Sequence, residues 1–185
     1  MDPIINQSLK DAFSSGQISS KIWLCEQLER TRWKPKSISI YGGWYGITAF
    51  LLLSRNNLKV KQIHSYDIDP SCELIADLIN ENWVWQNWKF KAYTYDCNNI
   101  LTDADLIINT STEHFDSKEW FENIRPGTKV AIQGNNMKHD DHVVYTKNLQ
   151  QFLNQYPLRN VKYQGQLDFK YPDKQFTRFM QIGIK

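Results

Sequence analysis

A chain of 185 residues that is 41% hydrophobic and 14% aromatic can bury one globular core, so we expect a single domain over residues 1–185. The 22 basic and 20 acidic residues give a net charge of +2 and are spread along the chain, so charge alone points to no partner. The three cysteines, Cys25, Cys72 and Cys97, lie far apart without metal-binding spacing, which argues against a disulfide framework and a zinc site and indicates a reducing compartment.

The chain shows no pattern of a secretory leader or a membrane span. Its start, "MDPIINQSLK", is acidic at the second position and has no apolar core. No later stretch approaches the ~18 uninterrupted apolar residues that a spanning helix needs. We therefore expect a soluble, cytoplasmic protein with no membrane partner.

The first predicted element is a helix near the N-terminus. The segment "SSKIWLCEQLERTRW" has apolar residues at helical spacing, with Ser19 and Ser20 as candidate caps. This helix should end before Pro35, because the residue before a proline disfavours helical dihedral angles. Residues 1–35 are thus expected to form an N-terminal helical cap on a core of residues 36–185.

Strand and helix patterns then alternate along the chain. Apolar, β-branched runs predict strands at 37–41, 60–66, 88–95, 104–108 and 128–132. Helical patterns separate most of them, at 47–55, 71–82 and 117–124. Such alternation predicts parallel pairing with right-handed crossovers, and therefore a doubly wound α/β sheet that is covered on both faces.

The C-terminal part departs from this alternation. Two strand-like runs, 160–169 and 176–184, are joined by the short turn "KYPDKQ". The turn is too short for a crossover helix, so the two runs predict an antiparallel hairpin. The whole pattern is that of a seven-stranded, mostly parallel sheet with an antiparallel edge.

Three glycines stand where the first predicted strand turns into a helix. A strand ending at Tyr41 and a helix opening at about Gly46 place free backbone N–H groups at the carboxyl edge of the sheet, where ligands bind in such folds. We expect Gly42 and Gly43 to adopt positive φ and to allow close approach of a ligand. Gly46 is expected to let the helix pack tightly on the strand. An ordinary glycine-rich turn remains the alternative.

An aspartate ends the second predicted strand. Asp67 lies 25 positions after Gly42 (67 minus 42), which is suitable for accepting hydrogen bonds from the hydroxyls of a ribose. The alternative is that Asp67 caps the following helix. Asp69 and Ser71 are better sited for that role.

Five stretches, taken in order, resemble the class I S-adenosylmethionine (SAM)-dependent methyltransferase family. They are "ISIYGGWYG", "SYDIDPS", "AYTYDCNNI", "ADLIINTSTEHF" and "WFENIRPGTKVAIQ". The C-terminal hairpin is similar to the family's antiparallel sixth and seventh strands. The resemblance implies a Rossmann-like methyltransferase fold with SAM as cofactor, and transfer of a methyl group to an oxygen or nitrogen of a small or mid-sized polar acceptor.

Site residues follow from this resemblance position by position. The glycine loop would run along the methionine and ribose of the cofactor, Asp67 would bind the ribose hydroxyls, Ile68 would pack on the adenine, and Asp96 with the Cys97 backbone would contact its edge. The cofactor-binding residues so implied are Gly42, Gly43, Trp44, Gly46, Asp67, Ile68, Asp96, Cys97, Asn109 and Thr110.

Two departures from the family pattern concern the same loop. Trp44 stands at the central glycine of the usual GxGxG, and Ile40 and Tyr41 stand near the place of the acid at the end of strand one. The α-amino group of the cofactor must then find another partner. The candidates are Asn109, Thr110 and Glu113.

The two aromatic residues of the glycine loop and one lysine of the N-terminal helix could each either contact the cofactor or have only a structural position. Trp44 and Tyr45 either close over the cofactor or pack against the N-terminal helix, where Trp23 and Trp33 offer partners, and we favour packing. Lys21 either approaches the carboxylate of the cofactor's methionine or lies in water on a covering helix. We favour the solvated position.

The stretch "NTSTEHF" after the fourth predicted strand contains the catalytic candidates His114, Glu113 and Asn109. Methyl transfer requires alignment of the nucleophile and removal of its proton. His114 is the natural proton acceptor near neutral pH. Alternatively, Glu113 and His114 form only local hydrogen bonds at a helix start.

No metal ion is expected from the sequence. His139, Asp140, Asp141 and His142 look metal-binding in composition, but adjacent loop residues seldom converge on one ion. Asn109 with Asn136 lacks the carboxylates that a hard cation prefers. We expect His139, Asp140 and His142 to form the rim of the substrate pocket or a solvated loop.

The acceptor is predicted by elimination. The fourth strand lacks the Pro-Pro-aromatic motif of enzymes that methylate amino groups of DNA bases, and no cysteine beyond Cys97 offers a nucleophile for cytosine C5. The chain also has no basic stripe for duplex binding. A small-molecule acceptor is favoured, and RNA stays open as an alternative acceptor. The alternatives are a nicotinamide-dependent Rossmann oxidoreductase and a noncatalytic SAM-binding protein that acts through a partner.

Overall fold

One sheet of seven strands runs through the computed structural model, which describes residues 3–172 and 175–185. The strands are β1 (Ser37–Tyr41), β2 (Gln62–Asp67), β3 (Phe90–Thr94), β4 (Leu106–Asn109), β5 (Lys129–Asn135), β6 (Arg159–Lys170) and β7 (Gln175–Ile184). Their order is β3-β2-β1-β4-β5-β7-β6. Strands β1 to β5 are parallel, and β7 is antiparallel to both of its neighbours. The predicted α/β fold, with its antiparallel hairpin, is confirmed.

The strand order reverses between β1 and β4. The chain proceeds from β1 outward to β3 and then returns to β4 on the other side of β1, where Tyr41 lies beside Asn109. In parallel sheets such a reversal opens a crevice beyond the carboxyl ends of the strands. The residues that follow β1, β2 and β4 therefore border this crevice.

Seven helices in the described ranges accompany the sheet. They are α1 (Pro3–Ala12), α2 (Ser15–Arg30), α3 (Ile47–Arg55), α4 (Pro70–Ile79), α5 (Glu81–Val84), α6 (Glu119–Glu122) and α7 (Leu149–Gln155). The strand and helix patterns did not predict α1 and α7. The single helix predicted over 71–82 is divided into α4 and α5, and the segment 117–124 contains only the one-turn helix α6.

The caps predicted for the N-terminal helix are wrong. The N-cap of α2 is Ser14, whose hydroxyl accepts a hydrogen bond from the Gln17 backbone N–H. Ser20 lies inside the helix, where its hydroxyl donates to the Gln17 carbonyl at 3.0 Å. A serine that bonds back to the preceding turn is tolerated within a helix, so its presence does not mark the helix start.

Both faces of the central strands are buried, which explains their nearly continuous apolar sequences. On β1, Ile38 and Ile40 face a core formed with α2 and α3, where Leu24 and Leu28 pack. Tyr41 faces the opposite core, which α6 and α7 cover through a second group of buried residues, Trp120, Phe121, Phe152 and Tyr156. Side chains alternate across a strand, so a strand between two helical layers must be apolar at consecutive positions.

The hairpin strands β6 and β7 pair over most of their length, with Lys170 opposite Gln175 at the turn. Two residues of the predicted turn, 173 and 174, lie outside the described residues. In the described part of the chain, no helix has the length and apolar character needed to cross a membrane.

Candidate functional site

A cavity of about 720 Å³ opens at the carboxyl ends of β1, β2 and β4. Its size is within the ~300–1,000 Å³ that is typical of small-molecule sites. Ten of the residues predicted for the site line it: Gly42, Gly43, Trp44, Asp67, Ile68, Asp96, Cys97, Thr110, Glu113 and His114. Helices α1 and α2 cover it with a further set, Gln7, Ser8, Asp11, Gln17 and Lys21. The crevice predicted from the strand order is thus closed on one side by the N-terminal helices.

The glycine loop differs from its predicted conformation at one position. Gly42 has a φ of +62°, whereas Gly43 has no positive φ, and Trp44 takes the left-handed conformation instead with a φ of +46°. A Cβ atom on Gly43 would lie 1.9 Å from the Ser65 hydroxyl on β2. Gly43 is therefore required for close packing of the loop on β2, and not for its dihedral angles.

Gly46 lies behind the cavity wall and does not line it. It precedes α3 with a φ of +73°, and a Cβ there would be 2.7 Å from the Asn80 amide nitrogen and 3.2 Å from the Ala76 Cβ. The Asn80 amide donates to the carbonyls of Gly46 and Ala76, which joins the start of α3 to the end of α4. Gly46 thus permits α3 to pack closely on α4.

Asp67 holds the glycine loop in place. Its Oδ2 accepts a hydrogen bond from the Trp44 backbone N–H at 2.8 Å, and its Oδ1 accepts from Asp69 N–H at 3.1 Å. Burial raises the pKa of Asp67, and these two N–H groups act in the opposite direction. The N-cap of α4 is Asp69, which accepts from Ser71 N–H at 2.8 Å. Asp67 is therefore not the helix cap, and its carboxylate faces the loop and the cavity.

The next wall contains an apolar side chain and a polar turn. Ile68 is 71% exposed although it follows a buried strand, and it borders the cavity. Asp96 caps the 3-10 helix Cys97–Asn99 by accepting from Asn98 N–H at 2.9 Å. The Cys97 side chain is buried. These residues offer an apolar surface and a polar edge to a ligand.

Asn109 does not reach the cavity, contrary to the role suggested for it. Its side chain is fully buried, and its Oδ1 accepts from the Ser111 backbone N–H at 2.9 Å. The side chain therefore shapes the turn after β4. Thr110 does line the cavity, and its carbonyl accepts from the Arg178 guanidinium at 3.2 Å.

The structure brings Glu113 and His114 together in the 3-10 helix Thr112–His114. Glu113 is buried, and one of its oxygens, Oε1, accepts a hydrogen bond from the Asn135 side chain. Its other oxygen, Oε2, has no hydrogen-bond partner among the described residues. His114 is more exposed, and its Nδ1 lies 3.2 Å from the Asp141 carbonyl.

Two buried basic residues border the cavity; the sequence interpretation considered Lys21 but favoured a solvated position for it, and it missed Arg178. Lys21 is only 7% exposed, so the favoured solvated position is wrong, and its ammonium donates to the Gln17 side chain at 2.5 Å. Burial, with the nearby charge of Arg178, lowers the pKa of Lys21 to about 7, while Glu113 and Asp11 act in the opposite direction. Arg178 lies on β7 and is 5% exposed. An arginine within the apolar run "FTRFMQIGI" was the available signal.

Trp44 and Tyr45 pack against the N-terminal helices and also line the cavity. Their rings stack with centroids 4.9 Å apart, and they belong to a small core with Ala12 of α1. Trp23 and Trp33, which the sequence suggested as their partners, pack elsewhere. Trp23 packs edge-on against Tyr163 of β6, and Trp33 packs on the core that contains Ile38 and Ile40.

The loop after β5 forms part of the rim. His139, Asp141 and His142 line the cavity, whereas Asp140 borders a smaller neighbouring cavity. Asn136 does not face a ligand, because its side-chain oxygen accepts from the Thr177 backbone N–H at 2.6 Å. The suggested pair of Asn109 and Asn136 is therefore used for backbone hydrogen bonds.

Solved structures of methyltransferases share this architecture. The N-methyltransferase NodS of Bradyrhizobium japonicum WM9 superposes with a TM-score of 0.69 at 12% identity, over 94% of this chain and 99% of NodS. The magnesium protoporphyrin IX methyltransferase ChlM of Synechocystis PCC 6803, with bound SAM, superposes with a TM-score of 0.62 at 9% identity, over 99% of this chain and 85% of ChlM.

The plantazolicin methyltransferase BpumL, in complex with S-adenosylhomocysteine (SAH), gives a TM-score of 0.62 at 11% identity, over 98% of this chain and 91% of BpumL. No protein-family model matches the sequence, and a search of curated proteins found no match. The likeness therefore rests on three-dimensional structure. The chain has the class I methyltransferase fold.

Proposed function

We propose that this chain is a SAM-dependent methyltransferase that acts on an oxygen or nitrogen of a small or mid-sized polar acceptor. The observation that carries this proposal is the order of groups along one cavity wall. The strand order β1, β2, β3 places the glycine loop, then Asp67 with Ile68, then Asp96 along that wall, which matches the order of methionine, ribose and adenine in the cofactor. ChlM and BpumL, which share the fold, bind SAM and SAH respectively.

The adenosine half of the cofactor has three suitable partners. Each carboxylate oxygen accepts about two hydrogen bonds, so Asp67 retains lone pairs for ribose hydroxyls after it has bound the Trp44 and Asp69 N–H groups. The exposed side chain of Ile68 offers an apolar face for the adenine. Asp96 and the Cys97 backbone lie at the adjoining wall and suit the polar edge of the base.

The methionine half would meet the two buried basic residues. Lys21 and Arg178 lie near each other at the cavity, with Glu113 close to both, and an anionic group bound beside Lys21 would favour its protonated form. We assign the cofactor's carboxylate to Lys21. Among the candidates for the α-amino group, Asn109 is turned away, which leaves Thr110 and Glu113.

The acceptor would lie between the loops that follow β4 and β5. This part of the cavity combines the polar side chains of Ser111, His114 and His139 with the apolar ones of Phe115 and Met137. We assign activation of the acceptor to His114, because its ring reaches the cavity and its Nε2 has no hydrogen-bond partner among the described residues. The mixed polar lining suits a polar small molecule rather than an extended apolar one.

Calorimetric titration of the purified chain with SAM, SAH and NAD tests the cofactor assignment. We expect micromolar binding of SAM and SAH and no heat from NAD. Binding of NAD without SAM would support the oxidoreductase alternative instead. A metabolite screen with methyl-labelled SAM then tests activity, and binding without transfer to any acceptor would support a noncatalytic protein.

A further inference from the structure

Three side chains with metal-binding atoms converge on one wall of the cavity. Glu113, His114 and His142 each offer a ligand atom, and these atoms lie within 4.8 Å of one another. Glu113 and His114 follow β4, and His142 follows β5. Because these parallel strands are neighbours, the loops at their carboxyl ends meet although they are distant in sequence.

Each of the two histidines is held by a hydrogen bond at Nδ1, and its Nε2 has no hydrogen-bond partner in the described part of the chain. Nδ1 of His142 lies 2.8 Å from the Met137 carbonyl, and Nδ1 of His114 lies 3.2 Å from the Asp141 carbonyl. A carbonyl oxygen only accepts, so each neutral ring carries its hydrogen on Nδ1 and leaves the Nε2 lone pair available. Proteins orient metal-binding histidines by this type of hydrogen bond to the other nitrogen.

The buried carboxylate of Glu113 supports a ligand site independently of the positions of the two histidines. Its side chain is 4% exposed, and Oε2 has no hydrogen-bond partner among the described residues. The Asn135 amide occupies Oε1, and the Arg178 guanidinium lies 3.9 Å from that same oxygen. A buried carboxylate oxygen without a partner is costly, so Oε2 is the group left to bind a ligand.

We propose that Glu113, His114 and His142 bind a divalent transition metal ion such as Zn²⁺. Two imidazoles and one carboxylate form a ligand set typical of such ions, whereas Mg²⁺ and Ca²⁺ prefer oxygen ligands alone. Ligands about 2.0–2.2 Å from a tetrahedral ion are roughly 3.4 Å apart, so the side chains close around it. Three protein ligands leave a fourth position open towards the cavity.

At this site His114 would act on the acceptor through the ion and not as a base, because its Nε2 would be a ligand and its Nδ1 carries a hydrogen. This consequence alone rests on the proposed function. An acceptor hydroxyl at the open position would release its proton to water more readily, because the ion would stabilise the resulting oxygen anion. Glu113 would then be engaged by the ion, which leaves Thr110 for the α-amino group of the cofactor. The sequence interpretation, which expected no metal, considered residues 139–142 of one loop and the pair Asn109 and Asn136, and did not combine Glu113 and His114 with His142.

Metal binding is tested directly on the full chain, without a histidine tag and after treatment with a chelator. Calorimetry with Zn²⁺, Co²⁺ and Mg²⁺ alone, with no cofactor present, is expected to show one site for Zn²⁺ and Co²⁺ and weak or no binding of Mg²⁺. The visible absorption of bound Co²⁺ should report the coordination. This measurement does not depend on SAM binding, so its failure and that of the proposed function are distinguishable.

Matched variants identify the ligands. His142→Ala and His114→Ala are expected to weaken Zn²⁺ binding at least about 100-fold, since even supporting residues of metal sites contribute about 10- to 100-fold. His139→Ala removes an exposed histidine of the same loop that is outside the group, and should retain binding within a few-fold. Circular dichroism verifies that each variant is folded. Absence of a Zn²⁺ site in the parent chain, or equal weakening in all three variants, overturns the proposal.

Discussion

The backbone N–H of Trp44 donates to the Asp67 carboxylate, with 2.8 Å between N and Oδ2. This hydrogen bond joins the loop after β1 to the end of β2. Its two partners are 23 positions apart in the sequence. The carboxylate that we assign to the ribose therefore also orders the loop that borders the rest of the cofactor.

Replacing Asp67 by Asn should weaken the binding of SAH. The amide retains an oxygen for the Trp44 N–H but loses the charge, and a hydrogen bond to a charged group contributes about 1.5–3 kcal/mol, or about 10- to 150-fold in Kd. Calorimetry measures the difference. The control is Asp69→Asn, which keeps a good N-cap on α4 and should bind SAH as the parent does. Unchanged affinity in Asp67→Asn would exclude the ribose role.

Lys21 should make the stability of the protein depend on pH. Its folded pKa of about 7 lies below the ordinary 10.5. Below pH 7 the lysine is charged in both the folded and the unfolded chain, so the cost of burying the charge is fully present. Between pH 7 and 10.5 the unfolded chain binds the extra proton, so this cost is relieved as the pH rises.

The variant Lys21→Met removes the buried charge and tests this dependence. Thermal melts should show that its advantage in Tm over the parent is larger at pH 6 than at pH 9.5. The charged groups that face Lys21, namely Arg178, Glu113 and Asp11, are common to both proteins. An equal difference in Tm at the two pH values would contradict the lowered pKa.

Binding of the cofactor should draw a proton onto Lys21. At pH 8 the free protein holds this lysine mostly neutral, and a carboxylate placed beside it raises the pKa again. Calorimetry of SAH binding in two buffers with different ionisation enthalpies should therefore reveal uptake of up to about one proton. Lys21→Met should bind more weakly and show less uptake. Equal uptake in both proteins would place the carboxylate elsewhere.

Gly43→Ala should destabilise the protein through a steric clash, because the φ of Gly43 is not positive and does not require glycine. The new Cβ would lie 1.9 Å from the Ser65 hydroxyl, and overpacking of this kind costs about 1–3 kcal/mol. Urea unfolding measures the loss. The double variant with Ser65→Ala should recover part of it, because the clashing atom is gone. Additive effects of the two substitutions would show that the contact is not the cause.

The ion pair between Glu29 of α2 and Arg55 of α3 should stabilise the packing of these two helices at neutral pH and not at acidic pH. Two hydrogen bonds of 2.6 and 2.9 Å join the groups, and the bonds from Arg55 lower the pKa of Glu29. The ion pair contributes to the free energy of unfolding above a pH of about 4.5, the unfolded pKa of Glu29. This contribution is lost as the pH falls through the lower pKa of Glu29 in the folded protein.

Glu29→Gln should therefore destabilise the protein by about 1 kcal/mol at pH 7 and by less near pH 3. Urea unfolding at the two pH values measures the difference. Glu26→Gln, on an exposed position of the same helix, should have a smaller effect at pH 7. A Glu29→Gln effect that does not change with pH would rule out the charge as its origin.

The sequence alone determined the sheet, its parallel part and its antiparallel edge. Local periodicity carries this information, because a strand with consecutive apolar residues such as β4 must be covered on both faces and a turn of a few residues cannot contain a crossover helix. The sequence pattern also pointed to Gly42 and Asp67 at the carboxyl ends of the first two strands, and the family resemblance pointed to Ile68 and Asp96 after the second and third.

Only the tertiary structure decided which polar groups meet at the cavity. Lys21 belongs to a covering helix and Arg178 to the last strand, and their burial depends on α1, α2 and β7 closing around the same space. Asn109 was expected to face a ligand, yet its amide oxygen binds the next turn. His142 meets His114 because β4 and β5 are adjacent. Such contacts join distant positions, and local patterns of hydrophobicity contain no record of them.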